Sequence, residues 1–121
     1  MYKLRVKRSF CAGHYLPGYD GDCAHQHGHT WTVEVTVSAK SVGNGGMVVD
    51  FKDVKRATDK IIEQFDHSNL NDLPWFSVCP PTAENVAMVI YDYLKDKFKE
   101  PACLHSVTVW ESDSASVEFS R

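Results

Sequence analysis

The feature that most constrains this chain is a change of hydrophobic period. Two long stretches alternate every second residue, two later ones follow a helical repeat, and the end alternates again. In the first stretch Leu4, Val6, Phe10, Ala12 and His14 share one parity, while Lys3, Arg5, Lys7 and Ser9 share the other; only Arg8 breaks the pattern. Successive side chains on a strand point to opposite faces, so this alternation predicts a half-buried strand with its even positions toward a core. Pro17-Gly18-Tyr19-Asp20-Gly21-Asp22 is a turn-forming loop. A second strand is predicted from about His27 to Ala39, with Trp31, Val33, Val35 and Val37 against Thr30, Thr32, Glu34, Thr36 and Ser38, and Gly43-Asn44-Gly45-Gly46 ends it in a turn.

The period then lengthens. Phe51, Val54, Thr58, Ile61, Ile62 and Phe65 recur at three- and four-residue spacing, and Asp50 is placed to cap that helix. Residues Asp66 to Pro74 read as a polar loop. A second helix is expected after Cys79-Pro80-Pro81, with Thr82 as N-cap and Glu84 in its first turn. Val86, Val89, Ile90, Tyr93, Leu94 and Phe98 form its stripe, Lys95, Lys97 and Lys99 lie near its end, and Pro101 stops it. Two short strands close the sequence, one holding Val107, Val109 and Glu111, the other Val117 and Phe119. The expectation is a single α+β domain over residues 1–121, an antiparallel four-stranded sheet with two helices on one face in the order ββααββ. Such a sheet has two open edges, for which pairing between subunits is one remedy.

Thirteen Lys and Arg stand against 16 Asp and Glu, a net charge of −3, which gives no reason to expect a nucleic-acid partner. No segment is long and apolar enough to span a bilayer, and the charged start is not that of a secretory signal, so the cytosol is the expected compartment. The four cysteines form no CxxC pair, and a disulfide framework is not expected in a reducing compartment.

Strand parity makes three histidines informative. His27 and His29 continue the apolar face of Trp31, Val33 and Val35, and His14 continues that of Phe10 and Ala12. If the two strands pair antiparallel, the end of the first lies beside the start of the second and the imidazoles converge at one end of the sheet. Three histidines with a fourth place open suit catalytic zinc, although imidazole also suits other first-row metals. The bland alternative is a set of hydrogen-bonded core histidines. His25 and His105 fit neither face.

Cys23 lies four residues before His27; a thiol near a divalent cation is a usable base or nucleophile. It serves equally well as a structural cysteine or a fourth ligand. Asp66-His67 can work as an oriented proton-transfer pair, or both can simply be polar loop residues. Glu111 carries the parity of Val107 and Val109, so its carboxylate is aimed at a buried face, where it needs a partner. That partner is either a distant Arg or Lys, or a ligand with two parallel N–H donors such as a pterin or guanine edge.

Taken in order, Phe10-Cys11-Ala12-Gly13-His14, Cys23-Ala24-His25-Gln26-His27-Gly28-His29, Gly46-Met47-Val48-Val49-Asp50-Phe51, Asp66-His67, Pro81-Thr82-Ala83-Glu84-Asn85 and Trp110-Glu111 resemble the 6-pyruvoyltetrahydropterin synthase and 6-carboxytetrahydropterin synthase family over nearly the whole sequence. The resemblance implies Zn2+ on His14, His27 and His29, Cys23 as the proton-abstracting base, Asp66 and His67 as a relay, Glu111 as the pterin anchor and Thr82 near the pterin. It implies the tunnelling fold, with trimeric barrels stacked into a homohexamer (a dimer of trimers) and active sites at subunit boundaries. Gly13 departs from relatives that often carry alanine there, and no role is implied for His25. The short form is most similar to bacterial 6-carboxytetrahydropterin synthase of the queuosine pathway. That enzyme converts 7,8-dihydroneopterin triphosphate to 6-carboxytetrahydropterin, acetaldehyde and triphosphate. Relatives with glutamate in place of the cysteine perform an aldolase-like cleavage, and Cys23 argues against that class. The competing readings are the pyruvoyl synthase of tetrahydrobiopterin synthesis and, from another class, a non-catalytic zinc-binding scaffold.

Overall fold

The computed structural model describes residues 1–16 and 27–121, with His27 described by its backbone alone. Cys23 and His25 therefore lie outside the described residues. Two 13-residue strands, β1 (Tyr2–His14) and β2 (His27–Ala39), are followed by α1 (Phe51–Phe65), a two-residue strand β3 (Ser68–Asn69), α2 (Ala83–Leu94), β4 (Cys103–Ser112) and β5 (Ala115–Phe119). The sheet order is β3-β1-β2-β4-β5. β1, β2, β4 and β5 pair antiparallel, and β3 runs parallel to β1 through Ala12–Ser68 and Gly13–Asn69.

The order is thus ββαβαββ and the sheet is five-stranded and mixed, which corrects the expected four-stranded antiparallel sheet. The missing strand hides in a segment read as polar loop. Two residues are too few to show a period, and Ser68 and Asn69 pair because α1 delivers them to the edge of β1. The second helix also ends earlier than expected. Lys95 caps it, its N–H donating to the Tyr91 carbonyl, and Phe98 packs against the core from beyond the helix. Phe51, expected on the apolar stripe of α1, is instead 52% exposed at the first helical position.

Both helices pack on one face of the sheet. Trp31, Val33, Val35 and Val37 of β2, Val107 and Val109 of β4, Val54, Ile61 and Phe65 of α1, and Val86, Ile90 and Leu94 of α2 are all buried in one core. Apolar area removed from water at roughly 25 cal/mol per Å² drives this assembly. The Phe10 and Trp31 rings stack with centroids 5.8 Å apart. Arg8, the intruder in the first alternation, reaches Asp59 on α1, with Nε 2.9 Å from Oδ1, so its charge on the helix side is paired. Both helix starts are capped as expected: Asp50 accepts from the Lys52 amide and Thr82 from the Asn85 amide. His105 sits in the β-bulge between Leu104 and Ser106, which is why it fits neither face. No described helix is long and apolar enough to cross a membrane.

Candidate active site

Pairing of β1 with β2 places His14 in register with His27 and Ala12 with His29. The expected meeting of the two strand ends is therefore present. The His14 and His29 rings are edge to face, with centroids 5.1 Å apart. Beneath both lies Trp31, 4.8 Å from the His14 ring and 5.7 Å from that of His29; its indole N–H donates to the Ala12 carbonyl at 3.2 Å. The floor of the site is thus a core residue, and core packing fixes the height of the rings.

His14 is almost wholly buried. Its Nδ1 is 2.7 Å from the carbonyl oxygen of Pro81, just before α2. A carbonyl only accepts, so Nδ1 carries a proton, and Nε2 is the nitrogen whose lone pair the neutral ring turns toward a metal. That Nε2 lies 3.7 Å from Oε1 of Glu111. One donor atom from each of His14, His29 and Glu111 falls within 4.8 Å of the others. Donors at about 2.0–2.2 Å from a tetrahedral cation stand roughly 3.3–3.6 Å apart, so this set can close on a divalent ion with small side-chain movements. Fixing one ring nitrogen by a carbonyl is also the usual support of a metal-bound histidine. The residues fit a metal.

Glu111 reaches the helix-facing side, as its parity predicts, and among the described residues it pairs with no Lys or Arg. Its carboxylate is close enough to His14 to serve as a ligand or to stand beside the metal as an anchor for a substrate.

Asp66 and His67 form the expected pair, with His67 Nδ1 3.2 Å from Asp66 Oδ1. Asp66 follows the last turn of α1, and His67 takes a left-handed backbone with φ of 56°. Such a conformation costs a non-glycine residue about 1–3 kcal/mol. Hydrogen bonds impose it: the Cys11 N–H donates to Asp66 Oδ1 at 2.9 Å, and the His67 N–H donates to the Cys11 carbonyl at 2.6 Å. The His67 side chain is 79% exposed and shares an open groove of about 540 Å³ with Cys11, Gly13, Gly28, His29 and Thr30. His14, His29 and Glu111 therefore converge. The Asp66–His67 pair lies instead beside a groove whose Cys11, Gly13, Gly28 and Thr30 have the opposite strand parity, and it is not brought to that cluster within this chain. Thr82 spends its hydroxyl on the helix cap at 3.1 Å. Two contributors escape sequence reasoning. The Pro81 carbonyl has no side-chain signature, and Trp31 reads only as core.

The model of the 6-pyruvoyl tetrahydropterin synthase family matches residues 3–121. The chain belongs to that family. A putative 6-carboxy-5,6,7,8-tetrahydropterin synthase of Archaeoglobus fulgidus is 39% identical over 78% of this chain and 76% of its own length. The 6-carboxy-5,6,7,8-tetrahydropterin synthase of Haemophilus influenzae is 30% identical over 98% and 99%. The solved structure of Caenorhabditis elegans 6-pyruvoyl tetrahydropterin synthase superimposes with a TM-score of 0.88 at 26% identity, covering 99% of this chain and 95% of that one. Relatives above 30% identity also include a pyruvoyl synthase and a dihydroneopterin monophosphate aldolase. The fold is the tunnelling fold of this family, here with the small parallel strand at its edge.

Proposed function

We propose that this protein is a cytosolic, zinc-dependent 6-carboxytetrahydropterin synthase that converts 7,8-dihydroneopterin triphosphate to 6-carboxytetrahydropterin, acetaldehyde and triphosphate, in the route to queuosine and related 7-deazapurines. The observation that carries the reading is the convergence of His14, His29 and Glu111 at one end of the sheet in a member of this family. His14, His27 and His29 hold the ion, which supplies Lewis acidity to the hydroxyls on the substrate's tail. Glu111 accepts the two parallel N–H groups of the pterin ring and so fixes the reacting carbons. Thr82, one residue beyond the carbonyl that holds His14, lies near the pterin. Cys23, as thiolate, takes a proton from a carbon of that tail, and His67, oriented by Asp66, transfers a proton on the opposite side.

Among the described residues, the outer edge of β1 up to Phe10 and the outer edge of β5 have no strand beside them. These open edges support the reading of a homohexamer built as two stacked trimers through edge pairing between copies, which would also cover the exposed His67.

A second reading, the pyruvoyl synthase, is favoured by the close superposition on the worm enzyme. Anaerobic incubation with 7,8-dihydroneopterin triphosphate, with both pterin and two-carbon product identified by mass spectrometry, separates them. Acetaldehyde with the carboxypterin is expected. A pyruvoyl product moves the assignment to the second reading, and unreacted substrate in the zinc-loaded protein removes both.

A further inference from the structure

The stretch Cys11 to Tyr15, which carries His14, is fastened along its length to the segment after α1. Cys11 exchanges hydrogen bonds with Asp66 and His67, and Ala12 and Gly13 pair with Ser68 and Asn69. Past the last of those backbone partners, a side chain takes over. The Tyr15 N–H donates to Asn71 Oδ1 at 2.9 Å, and Asn71 Nδ2 donates to the Tyr15 carbonyl at 3.0 Å. A primary carboxamide offers one acceptor and one donor side by side, as a peptide group does, so Asn71 extends the edge ladder with its side chain. The assignment of its oxygen and nitrogen follows from the partners, since an N–H only donates and a carbonyl only accepts. Asn71 is itself held, its backbone N–H donating to Asn69 Oδ1 at 3.1 Å.

We infer that Asn71 is a positioning residue for the metal: its carboxamide clamps the backbone one residue beyond His14, so that His14 is held at its main chain by Asn71 and at its ring by the Pro81 carbonyl. The inference rests on reading His14 as a ligand. Without the clamp, β1 ends at the very residue that must stay put, and strand ends fray first. With it, Nε2 of His14 keeps its direction toward His29 and Glu111 before any ion arrives. Preorganisation of this kind appears in the affinity for the ion, not only in the rate of the loaded enzyme.

The test is a zinc titration of the full-length, metal-stripped protein against a chromophoric chelator, with metal-free thermal unfolding measured in parallel. Asn71→Asp keeps the shape but turns an oxygen toward the Tyr15 carbonyl, and Asn71→Ala removes the clamp without repulsion. Either variant is expected to weaken zinc binding about tenfold or more; should the aspartate not fold, the alanine carries the comparison. Thr58→Ala, which removes a buried hydroxyl bonded to the Val54 carbonyl at 2.8 Å on α1, controls for lost stability alone and is expected to bind zinc as the parent does. Parental affinity in the folded Asn71 variants, or an equal loss in Thr58→Ala, overturns the clamp. A parent protein that takes up no zinc overturns the metal reading itself, and the clamp with it.

Discussion

Replacing Glu111 by glutamine separates the two roles its position allows. The side chain keeps its length and loses its charge, while the carboxylate it replaces stands 3.7 Å from His14 Nε2. As pterin anchor, the carboxylate accepts two N–H groups; glutamine accepts one and presents an NH₂ to the other. The variant then loses one charge-assisted hydrogen bond, weakens the second and faces donor against donor. Charged hydrogen bonds contribute about 1.5–3 kcal/mol each, so a total of about 2–4 kcal/mol is expected. That corresponds to a drop in kcat/KM of roughly 30- to 900-fold, with the bound zinc content the same as in the parent. The assay is steady-state kinetics on 7,8-dihydroneopterin triphosphate beside metal analysis of the same preparation. A variant that arrives without zinc, or that regains activity in excess zinc, would refute the anchor role and make Glu111 a ligand.

Other substitutions report on other parts of the site. His67→Gly relieves a left-handed backbone; unfolding in urea should show a gain of up to about 1 kcal/mol, with turnover lower by about a hundredfold or more if the imidazole moves a proton. Lower stability would show that φ of 56° is not strained here. Thr82→Ala removes the α2 cap and should cost about 1 kcal/mol, a fall of roughly 3–6 °C in Tm; a rise in KM beyond that loss would support its place near the pterin, and an unchanged KM would leave it a cap alone. Trp31→Ala empties the floor under both histidines and should cost about 3–5 kcal/mol by chemical denaturation. A loss below about 1 kcal/mol would mean that the rings do not rest on it.

Much of this molecule is legible in its sequence because the information is periodic. Thirteen-residue strands show their buried parity clearly, and that parity carries His14, His29 and Glu111 to the helix-facing side, where they meet. Helix caps are local, and Asp50 and Thr82 act where a first-turn amide is free. What escapes is short or made by backbone. β3 has two residues and no period, α2 stops at Lys95, well before Pro101, with no local stop signal in the sequence, and the carbonyl that orients His14 belongs to a proline with no polar side chain. Asn71 has no local signature either, since its partner Tyr15 lies 56 positions away.

Among the described residues, the edge of β1 up to Phe10 and the outer edge of β5 lack a neighbouring strand, and this has a kinetic consequence. Peptide groups left without a neighbouring strand favour association, and His67 stays wet until something shields it. If the proposed hexamer forms the active site, specific activity should climb with protein concentration and fall on dilution, on the timescale at which copies separate. On the proposed hexamer, a cell holding this protein at low abundance would contain folded molecules that turn over little substrate until their number passes the threshold for assembly.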